Sequence, residues 1–352
     1  MTNLEDGGHW NAGGPKVYSE DDLSSAIEAG VLSTETAIQL RRHVLEARNV
    51  PVADEEYFRL INGFNDIFVN IACTLLLLAI GGLCGMAASW LGALAVALAS
   101  WGLAEYFVRI RRMALPAILL LLTFVGGMAL AALYIAEGTL LLNKFSHITA
   151  AAFAVLAAGL HWKRFKVPIT VACGAASAVA LGIFLLALAF PRVTNHLALV
   201  SGFGGIAVFV LAMKWDALDP LRQTRRSDVA FWLHLLAAPL MMHPLFLLLG
   251  IFDENISLSQ AVAVVGIYVA IAYISLCIDR RALMVSSLAY VIYALSAIFK
   301  NYGNVSQDFL VTALVIGGAL LMLSAGWQFM RSLVAETLPQ NLRQWLPPVR
   351  GA

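Results

Sequence analysis

Residues 105–137 read EYFVRIRRMALPAILLLLTFVGGMALAALYIAE. The two parts of this stretch suit different solvents. Arg109, Arg111 and Arg112 require water, whereas residues 114–137 carry no charge before Glu137. At about 1.5 Å per residue, a helix of that length is enough to cross ~30 Å of hydrocarbon. The stretch therefore predicts a membrane span entered from a basic rim.

The same unit recurs on both sides. Apolar segments fall at 66–88, 90–108, 114–137, 146–162, 167–190, 196–213, 229–252, 258–278, 283–300 and 308–330. In hydrocarbon the backbone must satisfy its own hydrogen bonds, and these segments are too long and too uniformly apolar for barrel strands. The predicted fold is all-α, a polytopic bundle of about ten transmembrane helices. Composition agrees: 60% of residues are hydrophobic, 13% are charged and the mean hydropathy is +0.80. Soluble domains carry about 25% charged residues.

The positive charges alternate. Lys163, Arg164 and Lys166 fill one gap, Lys214, Arg222, Arg225 and Arg226 another, and Arg280 and Arg281 a third. With Arg109, Arg111 and Arg112, the five basic residues before the first span and the three after the last, one side collects 20 of the 23 Lys and Arg. The other side holds Lys144, Arg192 and Lys300. Basic loops stay in the cytoplasm, so both termini are expected there, in a multi-pass protein of the cell inner membrane. Residues 1–60 show no basic start followed by an apolar run, so no signal peptide is expected.

The front end divides further. Residues 1–16 are polar and Gly-rich and are expected to be disordered. Residues 17–50 predict a small cytoplasmic helical hairpin: Ser19 and Ser33 as N-caps, acids in each first turn, and Gly30 between the helices. Leu23, Ile27 and Val31 would face Ala37, Ile38, Leu40 and Leu45. A unit this small docks on something, which marks it as a site for a protein partner. Residues 51–65 form a linker helix into the first span, and residues 331–352 an amphipathic cytoplasmic tail around Trp345. Of the 22 acidic residues, 11 precede Asp66, against five basic ones. An acidic head of this kind excludes a nucleic-acid face. The lipid bilayer is the expected partner of the rest.

Three groups of residues are candidates for function. Asn62, Asp66 and Asn70 recur at helical spacing and form a polar stripe near the cytoplasmic surface. It reads as a vestibule or as an interfacial stripe. Pro239 and Pro244 lie five apart in the seventh span, where each removes a backbone donor, so a bent helix is expected. His243, Tyr268, Tyr290 and Tyr293 fall at similar depth on spans seven to nine. They read as a substrate-binding pocket or as hydrogen bonds between helices. Glu105 should pair with Arg109, one turn on. The glycine pairs Gly81-Gly82, Gly126-Gly127, Gly204-Gly205 and Gly317-Gly318 mark close-packing faces, suited equally to the bundle and to a homo-oligomer. Cys73, Cys84, Cys173 and Cys277 lack ligand spacing, so no metal is expected. No nucleophile motif or phosphate loop is present either, so no cofactor and no enzyme activity are expected.

The hairpin residues Asp22, Leu23, Glu28, Ala29, Gly30, Val31, Leu32 and Ser33, and the ending Gly318, Gly326, Trp327 and Arg331, resemble the DUF2157 group of bacterial membrane proteins. That resemblance implies a membrane bundle behind a helical hairpin and brings no activity or site residue with it. In number of spans the chain is also similar to the drug/metabolite transporters. Their five-helix repeat is not visible, because the proline-broken seventh span has no counterpart at the second. Two functions follow as expectations: transport of a small solute, and a non-catalytic scaffold or regulator acting through the hairpin.

Overall fold

The computed structural model describes residues 20–47, 64–140, 142–219, 222, 224–251 and 257–284, with interrupted stretches across 287–293 and 310–337. Every regular element among them is helical. The chain divides into two units, Met1–Tyr57 and Phe58–Ala352.

The first unit contains α1 (Glu20–Glu28) and α2 (Thr34–Ala47). Gly30, at φ +70°, ends α1. Its N–H reaches the Ile27 carbonyl at 3.0 Å and the Val31 N–H reaches Ala26 at 2.9 Å, the crossed pair of bonds that a left-handed residue permits after a helix. Ser33 caps α2, its Oγ accepting from the Thr36 N–H at 3.1 Å. Ala37 is buried, while Val31, Ile38 and Leu40 remain exposed. Residues 1–16 and most of the linker 51–65 lie outside the described residues.

The second unit is the bundle: α3 (Phe64–Gly85), α4 (Ser89–Ala104), α5 (Ala114–Glu137), α6 (Ser146–Phe165), α7 (Ile169–Ala189), α8 (Leu197–Ala217), α9 (Arg225–Leu248), α10 (Leu258–Ile278) and α11 (Trp327–Thr337). A π-helical turn, Glu105–Ile110, finishes α4. Among the described residues, seven helices, α3 to α9, are long and apolar enough to cross a membrane, and Val262–Ile278 adds a shorter apolar stretch. Their outer faces are apolar too. In the most apolar window of α7 only 6% of residues are buried inside the protein. Such a surface is stable only in an apolar solvent, as expected for a multi-pass membrane protein. Much of the two last predicted spans, 283–300 and 308–330, lies outside the described residues, as do Ser286, Lys300 and the tail beyond Thr337.

Short connections place sequence neighbours side by side. Ala97, Leu121, Phe124, Val125, Ala154 and Ala158 fill the space between α4, α5 and α6. Ala172, Val208, Ala212, Val229, Leu233 and Ala237 do so between α7, α8 and α9. Glycines allow close approaches between helices, some of them against a neighbouring backbone. A methyl on Gly92 of α4 would lie 2.6 Å from the Gly81 carbonyl of α3. One on Gly205 of α8 would lie 2.8 Å from Met241 Cγ and 2.9 Å from the Leu240 backbone of α9. Pro239 and Pro244 both fall inside α9, which is assigned as one helix from Arg225 to Leu248. Pro244 packs against Gly202 of α8.

Candidate functional site: a buried charge network

The basic rim is not only a set of solvated loops. α8 runs through Ala217, beyond the end predicted for its span, and so carries Asp216 into the protein. The turn that follows reverses at Arg222, at φ +53°. Asp219 braces this turn, accepting from the Thr224 N–H at 2.8 Å and the Thr224 hydroxyl at 2.7 Å. Thr224 in turn caps α9, its Oγ1 accepting from the Arg226 N–H at 3.3 Å. α9 begins earlier than predicted, at Arg225, which brings Ser227 and His234, seven residues apart and therefore on one face, beside Asp216.

The cation comes from the far end of α10. Asp279 ends that helix at φ +54° and turns the chain so that Arg280 points inward. Arg280 is 1% exposed and Asp216 4%. The Arg280 guanidinium donates from Nε to Asp216 Oδ2 at 3.1 Å and from Nη2 to Asp216 Oδ1. Nη2 also donates to the Ser227 carbonyl at 3.2 Å and to Ser227 Oγ at 3.0 Å. The Ser275 hydroxyl donates to the Arg280 carbonyl, fixing the turn. His234 Nε2 lies 3.0 Å from Asp216 Oδ2. Its Nδ1 has no hydrogen-bond partner among the described residues, and the Phe209 ring stands edge-on beside it with centroids 5.4 Å apart. One carboxylate thus serves a guanidinium and an imidazole where water is excluded.

Asp279 is a second hub next to the first. It accepts from Arg222 Nη1 at 2.9 Å and from Trp327 Nε1 at 2.8 Å, and it lies 3.3 Å from Arg331 Nη1. Arg281 sits over the Trp327 ring, 4.8 Å from its centroid. These contacts hold the start of α11 on the end of α10. Arg331, read from the sequence as a tail charge, is buried in this hub.

A simpler ion pair lies on the same rim. Glu105 in the π-helical turn takes two bonds from Arg164 of α6, at 2.6 and 2.9 Å, and a longer one of 3.4 Å from Arg109. The expected partner is therefore the minor one, because α6 brings a guanidinium close enough to bind both oxygens. A second buried histidine, His161, bonds Thr170 Oγ1 through Nδ1 at 3.1 Å and is surrounded by Trp101, Phe124 and Phe165.

The sequence-derived candidates lie elsewhere. His243 Nδ1 meets the Tyr290 hydroxyl at 3.2 Å, and Tyr290 stacks on Phe246 at 4.6 Å. Tyr268 packs against the same apolar cluster, with its buried hydroxyl lacking a partner among the described residues. Tyr293 is 45% exposed. In the polar stripe Asp66 is buried and Asn70 Oδ1 has no hydrogen-bond partner among the described residues, while Asn62 lies outside them. Sequence reasoning overlooked Asp216, His234 and Arg280. Charged residues between apolar runs read as loops, and Asp216 and Arg280 are 64 positions apart. The available signal was the brevity of the gap after Ile278: a charge that close to two spans sits at a helix end, not in a solvated loop. No protein-family profile, curated protein or solved structure matches the chain.

Proposed function

We propose that this chain is an inner-membrane protein of ten spans, with both termini and its helical hairpin in the cytoplasm, that moves a small solute across the bilayer. The observation that carries this reading is the Asp216–Arg280 pair with His234, buried at the basic end of apolar helices. Charges in such places cost several kcal/mol to bury and commonly mark the path of an ion or solute. α9 carries Ser227 and His234 towards its start and Pro239, His243 and Pro244 further along, so one helix joins the charge network to the proposed solute contacts His243, Tyr268, Tyr290 and Tyr293. The polar stripe Asn62, Asp66 and Asn70 is read as a cytoplasmic vestibule. The protein acts without cofactor or metal and is not an enzyme in this reading.

The test is efflux from liposomes. Liposomes containing the purified protein are loaded with a fractionated mixture of small metabolites, and release is followed by mass spectrometry. At least one solute should leave faster than from protein-free liposomes, and His243→Ala should abolish that release without lowering the amount of folded protein. Release no faster than from empty liposomes for every fraction would remove the transport reading.

A scaffold reading has its own support. Met1–Tyr57 is a separate unit, and it leaves Val31, Ile38 and Leu40 exposed. Deleting residues 1–50 should then remove a crosslinked partner in cells. An unchanged crosslinking profile would count against this alternative.

A further inference from the structure

We propose that His234 is a proton-binding site, and that a proton there competes with Arg280 for Asp216. The idea takes its purpose from the transport reading, since it names the coupling ion, but its test needs no solute.

The geometry sets up the competition. Asp216 Oδ2 faces both His234 Nε2 at 3.0 Å and Arg280 Nε at 3.1 Å. A neutral imidazole meets this arrangement with its hydrogen on Nε2, donating to the carboxylate. Nδ1 then keeps a bare lone pair, buried and without a partner among the described residues. The second proton adds there from hydronium, whose O–H bond breaks to leave water as the Nδ1–H bond forms, and the cluster gains one positive charge.

The surroundings decide what that charge does. Asp216 comes from α8 and Arg280 from the turn after α10, so the carboxylate that His234 meets also holds a guanidinium, and Arg222, from the α8–α9 turn, bonds the Ile278 carbonyl close to that turn. Arg222 is itself paired with Asp279. Phe209 closes the α8 side, and α7 brings Ala172, Ala175 and Val179 to the packing against α9. With His234 neutral, Asp216 and Arg280 balance. With His234 charged, two cations share one carboxylate in a place from which water is excluded, and each weakens the other's hold. Arg280 is the group that can yield, because its contacts with Asp216 and Ser227 join the end of α10 to α8 and α9. Proton entry is thereby linked to loosening of the α10 end, where Asp279 also holds α11.

The experiment uses the full chain in lipid nanodiscs. Nitrogen-15 signals of the histidine rings are followed between about pH 8 and pH 5, the range in which imidazole ordinarily changes charge. His234 is assigned by comparison with His234→Gln. The wild-type signal should pass from a single neutral tautomer to the doubly protonated ring. Hydrogen exchange over 275–284, corrected for the intrinsic effect of pH, should rise about tenfold across the same transition. In His234→Gln that rise should be absent. A His234 ring neutral down to about pH 5 would overturn the proposal without need of any variant. So would exchange that ignores pH, or that responds equally in His234→Gln. A ring that stays neutral while solute is still released would remove the proton site and leave transport standing. Titration and loosening as described, with no solute released, would do the reverse.

Discussion

Replacing Asp216 by asparagine tests whether the buried network is held by charge or merely by shape. The substitution preserves size and one acceptor, so Arg280 can keep a hydrogen bond. What it removes is the negative charge, at a point where Arg280 is 1% exposed and also donates to the neutral carbonyl and hydroxyl of Ser227. Breaking one side of a buried pair costs about 3–5 kcal/mol, because the remaining charge is stranded. Asp216→Asn should lose that much. The double variant Asp216→Leu, Arg280→Met strands no charge. It leaves His234 without its acceptor, a loss of about 1–3 kcal/mol, so it should recover much of the deficit. Reversible unfolding in mixed micelles gives these numbers, with Asp216→Leu, Arg280→Met and their double variant compared as a cycle beside Asp216→Asn. A single variant within about 1 kcal/mol of wild type, or a double variant that costs the sum of the singles, would refute the assignment of a buried, mutually dependent pair.

Four further outcomes are expected. Gly205→Leu should cost about 1–3 kcal/mol or more in the same assay, since even its first carbon would strike Leu240 and Met241 of α9. Asp279→Asn should raise hydrogen exchange in Trp327–Thr337 by weakening the hold of Arg222 and Arg331, while leaving the turn intact, because asparagine tolerates a positive φ. His161→Phe should change stability by no more than about 1 kcal/mol, the ring space among Trp101, Phe124 and Phe165 being kept and one weak bond to Thr170 lost. Fusions ending after Lys144 or Arg192 should activate a reporter that works only outside the cytoplasm, and fusions after Arg112, Lys166 or Arg226 should not.

The parts of this protein that could be read in advance are those set by its solvent. Hydropathy averaged along a run states how much apolar surface a segment must hide. The runs from 66–88 to 258–278 accordingly appear as α3 to α10, with boundaries displaced by a few residues. The displacements are informative. The runs at 196–213 and 229–252 are expected to end and begin where charges start, yet α8 continues to Ala217 and α9 starts at Arg225. A charge lengthens a helix into the protein when an opposite charge waits there, and that opposite charge arrives from α10, 64 residues away. Nothing periodic in the chain connects the two. Glu105 follows the same logic: local spacing offers Arg109, but the packing of α4 on α6 supplies Arg164 at 2.6 Å. The pattern extends to the glycines, where a small face was visible at Gly204-Gly205 but its partner, the Leu240–Met241 turn of α9, was not. In a lipid-solvated chain, burial from water is set locally and is legible, whereas the pairing of polar groups is decided between helices. The residues on which a function would rest are therefore those that a reading along one dimension assigns to loops.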